Sequence, residues 1–211
     1  MPEKQIGGLP VSGRKSAAVL RTRASIVVAA QQVLADQGAL ASIEDVASSA
    51  GVSVSTLYKH FANKDDLVTA AFGYALKSLE SWAAEKTAGE SDPLSQVVLP
   101  IRLFVRANET HPVFARLVAN NANEANLRLA TLGETLLNNL KKLNSAGVIR
   151  VDDLQIRVEL LLSMAVHILQ KAVFDPKFTA KAADQAVAIA LQTLGLDAAE
   201  SQRLVASDIP N

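Results

Sequence analysis

Apolar positions along this chain recur with the period of a helix, and the runs are separated by polar breaks. Residues 1–18 lack any such period: Pro2, Gly7, Gly8, Pro10 and Gly13 interrupt them and their apolar residues are isolated, so they read as a flexible arm. From Arg21 onward Ile26, Ala30, Val33, Leu34 and Gln37 share one helical face, and Gly38 supplies the stop. Ser42 opens a second helix with Asp45 three residues on, close to a capping box, and with Ile43, Val46 and Ala47 facing inward. Ala50-Gly51 ends it, since glycine reaches the positive φ of a tight turn at no steric cost. Ser53 caps a short third helix with Val54, Leu57 and Phe61 inward, and Asn63-Lys64-Asp65-Asp66 opens a fourth.

The remainder is helical as well. Asp92-Pro93 and His111-Pro112 mark restarts, the asparagine-rich stretch 120–126 reads as a bend, and a long amphipathic run, Leu127–Asn144, stops before Gly147. Asp152 and Asp153 open an apolar helix that runs to Phe174, and Asp175-Pro176 separates it from a final helix over Thr179–Leu194. Without a strand signature or a repeat, the pattern predicts an all-α protein of about nine helices.

Composition narrows the class. The 211 residues are 49% apolar, 20% charged and 4% aromatic, with no cysteine, which excludes a disulfide scaffold, a Cys-ligated metal centre and thiol catalysis. Charge-free stretches run to about a dozen residues, short of the ~20 that span a bilayer, and no secretory signal is visible, so a cytoplasmic location is expected. The formal net charge of zero hides an asymmetry. Residues 1–23 carry Lys4, Arg14, Lys15, Arg21 and Arg23 against Glu3 alone, whereas the region from 65 onward is mildly acidic. One end of the chain is suited to a polyanion and the rest is not.

The informative segment is Ser42–Phe61, SIEDVASSAGVSVSTLYKHF. Two short helices flank a turn at Gly51, and the second presents Ser55, Thr56, Tyr58, Lys59 and His60 outward, with no carboxylate. A helix lying in a major groove needs that surface: small hydroxyls that approach phosphates and base edges, and longer donors that reach the flanking backbone. The stretch from Arg21 to Phe72 resembles the helix-turn-helix domain of the TetR family of bacterial transcription regulators. The resemblance is carried by Arg23, Ile26, Gly38, Ser42-Ile43, Val46-Ala47, Ala50-Gly51-Val52-Ser53, Thr56-Leu57-Tyr58, His60-Phe61, Asn63-Lys64 and Leu67. Ser42 stands where the family most often has threonine, which keeps the hydroxyl.

The resemblance implies a basic arm over 1–18, a DNA-binding domain over 19–66, and a ligand-binding and dimerisation domain over 67–211. It implies a homodimer on a palindromic double-stranded operator, with each third helix in a major groove and half-sites about one helical turn (~34–36 Å) apart. It further implies repression relieved by a small-molecule effector. Ser42, Tyr58, His60 and Lys64 are expected on phosphates, and Ser53, Ser55, Thr56 and Lys59 nearer the groove. Ser53 has a second reading as a helix cap, Tyr58 as a packing residue, and Arg14, Lys15 and Arg21 as a minor-groove arm or a basic tail.

The C-terminal region is less specific. Trp82, Leu103, Phe104, Phe114, Leu117, Met164 and His167 lie on helices that surround the effector in this family, although each also reads as ordinary core or interface. An apolar or amphipathic effector is expected from the aliphatic composition, with Arg102, Arg106 and the asparagines as the residues able to reverse that. The helices over Asp153–Phe174 and Thr179–Leu194 carry apolar residues on more than one face, which points to a four-helix dimer interface. His60, His111 and His167 have no metal-ligand spacing, Asp152-Asp153 sit where a helix starts, and no catalytic, cofactor or phosphate-loop motif occurs; neither enzyme nor metal chemistry is expected. The competing reading is a dimeric DNA-binding protein with no effector, whose C-terminal domain serves dimerisation or a protein partner. A closed, partly apolar cavity of ~300–1,000 Å³ separates the two.

Overall fold

Capping chemistry sets six of the twelve α-helix starts described in this protein. The computed structural model describes residues 11–209, apart from the side chains of 11–15 and 130–132. Ser42, Ser53, Asn63, Asp92, Thr179 and Asp197 each accept a bond from the backbone N–H three residues on, at the head of a helix. Twelve α-helices and two 3₁₀ turns result, with no strand among the described residues. They are α1 (Val11–Gln37), α2 (Ile43–Ser49), α3 (Val54–Tyr58), α4 (Lys64–Thr87), α5 (Pro93–Val105), α6 (Ala107–Thr110), α7 (Pro112–Asn120), α8 (Ala122–Arg128), α9 (Ala130–Ser145), α10 (Leu154–Phe174), α11 (Ala180–Leu191) and α12 (Ala198–Ala206).

The all-α reading stands, with more helices than the nine expected. Arg106 interrupts the chain between α5 and α6 and Leu129 between α8 and α9, neither of them a glycine or proline that would announce a break. The helix over Thr179–Leu194 is not the final one: a twelfth follows, capped by Asp197, with Glu200 at the third position and Leu204 and Val205 buried.

Two local expectations need correction. The helix of α1 begins at Val11, so residues 11–18 are not an irregular arm; residues 1–10 lie outside the described residues. Ala17, Ala18 and Leu20 are strong helix formers that only lengthen an existing helix, and propagation needs no second nucleus. Asp153 does not cap α10 through its side chain: it holds φ 53 in the left-handed region, and its carboxylate accepts no capping bond. The start is tied instead by Arg157, which donates from its backbone N–H to the Asp153 carbonyl and from Nε to the Asp152 carbonyl.

Packing builds two regions with a shared core. α1 wraps α2 and α4, and α2 meets α3, giving a three-helix head. α10 is the axis of the rest, in contact with α5, α7, α8, α9 and α11. Ile26, Leu57 and Phe61 of the head belong to the same buried apolar cluster as Leu117, Leu161 and Leu169 of the body. The join is made by α1 against α7. There the side-chain amides of Asn120 and Asn121 donate to the carbonyls of Ala35 and Leu34, capping the end of α1 from another part of the chain. The asparagine-rich stretch is thus a break between α7 and α8 that also closes α1.

Candidate nucleic-acid interface and ligand cavity

The head presents α3 through a turn whose geometry follows from three residues. Ser42 and Asp45 form a reciprocal capping box, with the Ser42 hydroxyl donating to Asp45 Oδ2 at 2.6 Å and accepting from its N–H at 3.0 Å. These bonds hold the Asp45 carboxyl below its ordinary range. Gly51 takes φ +65 to turn the chain, and Ser53 caps α3. Beneath α3, Leu57 and Phe61 are buried, and the Arg23 guanidinium lies 4.1 Å over the Phe61 ring while donating to the His60 carbonyl.

The outward face holds the residues expected on DNA. Ser53, Ser55, Tyr58, Lys59 and Lys64 are exposed, and Thr56 and His60 half-exposed. Ser53 Oγ lies 2.9 Å from both Ser55 Oγ and Thr56 Oγ1, so three hydroxyls form one cluster at the N-terminus of α3. Tyr58 is 50% exposed, which favours a free phenol over a packing role. Lys64 Nζ reaches the Ala39 carbonyl at 3.5 Å, across the gap between the 3₁₀ turn and α4. Ser42 is half-buried with its hydroxyl already committed to the box, which leaves its oxygen lone pairs crowded and its proton spent.

Three cavities in the body bear on the expected effector residues. The largest apolar one, about 400 Å³, lies among α4, α5, α9 and α10. Leu76, Leu79, Glu80, Ala83, Ala84 and Thr87 supply its α4 wall, at the spacing of a single helical face. Phe104 lines it, as do Pro100, Ile101, Leu129 and Leu162. Of the residues expected around an effector, Phe104 alone lines this cavity. Trp82 and Leu103 face a separate space of about 510 Å³ with Arg106 and Asp208, and Phe114 and Leu117 face one of about 230 Å³ between α1, α4 and α7. Met164 and His167 line none of the three; His167 is exposed along α10. The expected residues therefore divide among separate spaces, because a helix packed on several sides has no single apolar stripe.

Arg102 and Arg106 also stand apart from the apolar cavity. Arg102 is 2% exposed and donates to both carboxylate oxygens of Asp184, at 2.9 and 3.2 Å, and to the carbonyl and hydroxyl of Ser207. Arg106 binds Glu109 and Asp184, an arrangement that raises its pKa above the usual guanidinium value. No group of three or more histidines and carboxylates suited to a metal ion occurs among the described residues. No helix among them is long and apolar enough to cross a membrane.

A three-helix head with an exposed polar third helix, carried on a helical body with an open apolar cavity, is the architecture of helix-turn-helix DNA-binding regulators. Residues 26–71 match the family model described as bacterial regulatory proteins, tetR family. Over that segment the chain carries the DNA-binding region of the tetR family of bacterial regulatory proteins. In fold it is similar to RolR in complex with resorcinol, with a TM-score of 0.75 and 18% identity over 93% of this chain and 98% of that one. It is similar too to the fatty acid degradation regulator FadR from Bacillus halodurans, with a TM-score of 0.66 and 18% identity over 82% and 97% of the two chains. A TetR family regulator from Marinobacter aquaeolei VT8 matches with a TM-score of 0.59 and 20% identity over 86% and 98%. By sequence, no curated protein matches the chain.

Proposed function

We propose that this DNA-binding regulator is a homodimeric repressor released from a palindromic operator by a small molecule held in the cavity among α4, α5, α9 and α10. The observation that carries the reading is that α4 belongs to both ends of the device. Its residues 76–87 wall the cavity, and its first residue, Lys64, lies beside the reading face. About twenty residues of helix separate Ala84 from Lys64, roughly 30 Å of rigid rod. A tilt of about 5° at the cavity therefore moves the reading end by about 2–3 Å. Two heads must match two half-sites at once, so a ligand that binds the tilted form better depletes the DNA-competent one; a ligand of equal affinity for both would shift nothing. RolR, whose fold this chain shares, is known with resorcinol bound, which favours an effector-responsive body over one used only for assembly.

In this reading the DNA-binding domain covers 19–66 and the effector and dimerisation domain 67–211, with α4 continuous across the boundary. Tyr58, His60 and Lys64 meet phosphates. Ser55, Thr56 and Lys59 lie in the groove, and Ser53 and Ser42 serve mainly as caps. The dimer forms through α10 and α11. Ile156, Leu160 and Phe174 are 57%, 52% and 56% exposed at near-heptad spacing on α10, and Ile189 of α11 is 65% exposed.

The test is anisotropy of purified protein on the DNA flanking its own gene, over a salt series. Lys64→Ala should weaken binding to all duplexes alike and reduce the salt slope by about one ion. Thr56→Ala with Lys59→Ala should change which sequence is preferred. Sequence-independent binding by the wild type to its flanking DNA, or a preference that survives the double substitution, would reject this assignment of the reading face.

A further inference from the structure

The apolar cavity is lined by few polar groups, and one of them is charged. Glu80 is the single ionisable side chain among the described residues that line it; the other polar ones are the hydroxyls of Thr87 and Thr135 and the amides of Gln96 and Asn139. Among the described residues no arginine, lysine or histidine lines it. The arginines nearest in sequence are committed elsewhere: Arg102 and Arg106 to Asp184, Ser207 and Glu109, and Arg128 to Glu124 and Asp65. An apolar space whose one charged lining side chain is a carboxylate attracts a hydrogen-bond donor or a cation. An anion would enter against Glu80 with no cation to receive it.

We propose that the effector is an amphiphile with an aliphatic or aromatic body and a neutral or cationic donor head, a hydroxyl or an ammonium, and that Glu80 excludes carboxylates. This rests on the ligand-binding reading of the cavity given above. Glu80 is exposed at the rim, so its discrimination works at the mouth, where solvent screens it, and it should weaken as salt rises.

The experiment uses the full chain and three ten-carbon probes below their micelle concentrations: decylamine (protonated at neutral pH), decan-1-ol and decanoate. Each displaces the neutral fluorophore N-phenyl-1-naphthylamine, first shown to bind once per subunit and to lose binding in Ala84→Trp, which fills the cavity from a rim position. Circular dichroism confirms that the variants are folded. In the wild type, decanoate should compete at least ~10-fold more weakly than decanol, and decylamine at least as well as decanol. Glu80→Gln should narrow the decylamine-to-decanoate ratio by roughly 3-fold or more at low salt. Equal or tighter binding of decanoate in the wild type, or a ratio unmoved by Glu80→Gln, would overturn the proposal while fluorophore binding upheld the cavity as a ligand site. Failure of the fluorophore to bind, or binding indifferent to Ala84→Trp, would overturn the ligand-site reading and this proposal with it.

Discussion

Gly38 is the position where one added carbon would matter most. It holds φ +58, and a Cβ there would stand 2.8 Å from the Asn120 carbonyl oxygen, a backbone atom that cannot rotate away. Left-handed strain and the forced shift of α7 act together, and Gly38→Ala should lower stability by about 2 kcal/mol or more. Urea unfolding followed by circular dichroism checks this; a midpoint within error of the wild type would show that the junction of α1 and α7 is slack. The sequence announced this glycine as a helix stop but not as a contact, since its neighbour lies more than eighty residues away. The same distinction holds on the reading face. Ser42, Ser53 and Asn63 were legible as caps because a cap is a local bond, and each forms as expected. The commitment of the Ser42 proton to Asp45 was the extra detail that only three-dimensional geometry supplied.

Helices meet through a few charged tethers as well as through apolar contact. The most buried is Arg102 of α5 on Asp184 of α11, which joins a wall of the cavity to a helix of the proposed dimer face. With Arg102 2% and Asp184 15% exposed, removing one partner leaves a largely desolvated charge behind. Arg102→Met should destabilise the fold by about 3 kcal/mol, although it keeps most of the apolar stem. Arg102→Met with Asp184→Asn should recover a substantial part of that loss. A double variant as unstable as the single would mean that Ser207, which also accepts from Arg102, carries the tether. Nothing in the local pattern marks Arg102 as buried, because it sits in an apolar run where an arginine would ordinarily reach out to water. The divisions at Arg106 and Leu129 were equally hidden: both are good helix formers, and the chain turns there to satisfy packing.

For the whole molecule, the proposed function depends on two reading heads held at one spacing, and so on the surface that would join two copies. Leu160 is 52% exposed in the middle of the α10 stripe formed by Ile156, Ser163, His167 and Phe174. Leu160→Lys should leave the subunit folded, since the side chain is not in its core, and shift the protein to monomer in sedimentation experiments. Operator affinity should fall by at least ~100-fold, because a monomer engages one half-site without the gain of linked binding. A variant that stays dimeric would place the interface elsewhere. The continuous core through α1 and α7 then couples each head to its own body, and α4 connects the cavity to the reading end.

The sequence by itself determined the all-α class, most of the long helices and the caps at Ser42, Ser53 and Asn63, because these depend on bonds and periodicities within a few residues of one another. It also carried the family resemblance, in a segment of about fifty residues whose spacing is part of its chemistry. Tertiary structure decided which faces of the body helices enclose a cavity, that Phe104 lines it while Trp82 and His167 do not, and that Arg102 is buried against Asp184. Those outcomes hang on how four helices cross, which is set by side-chain packing between residues far apart in the chain.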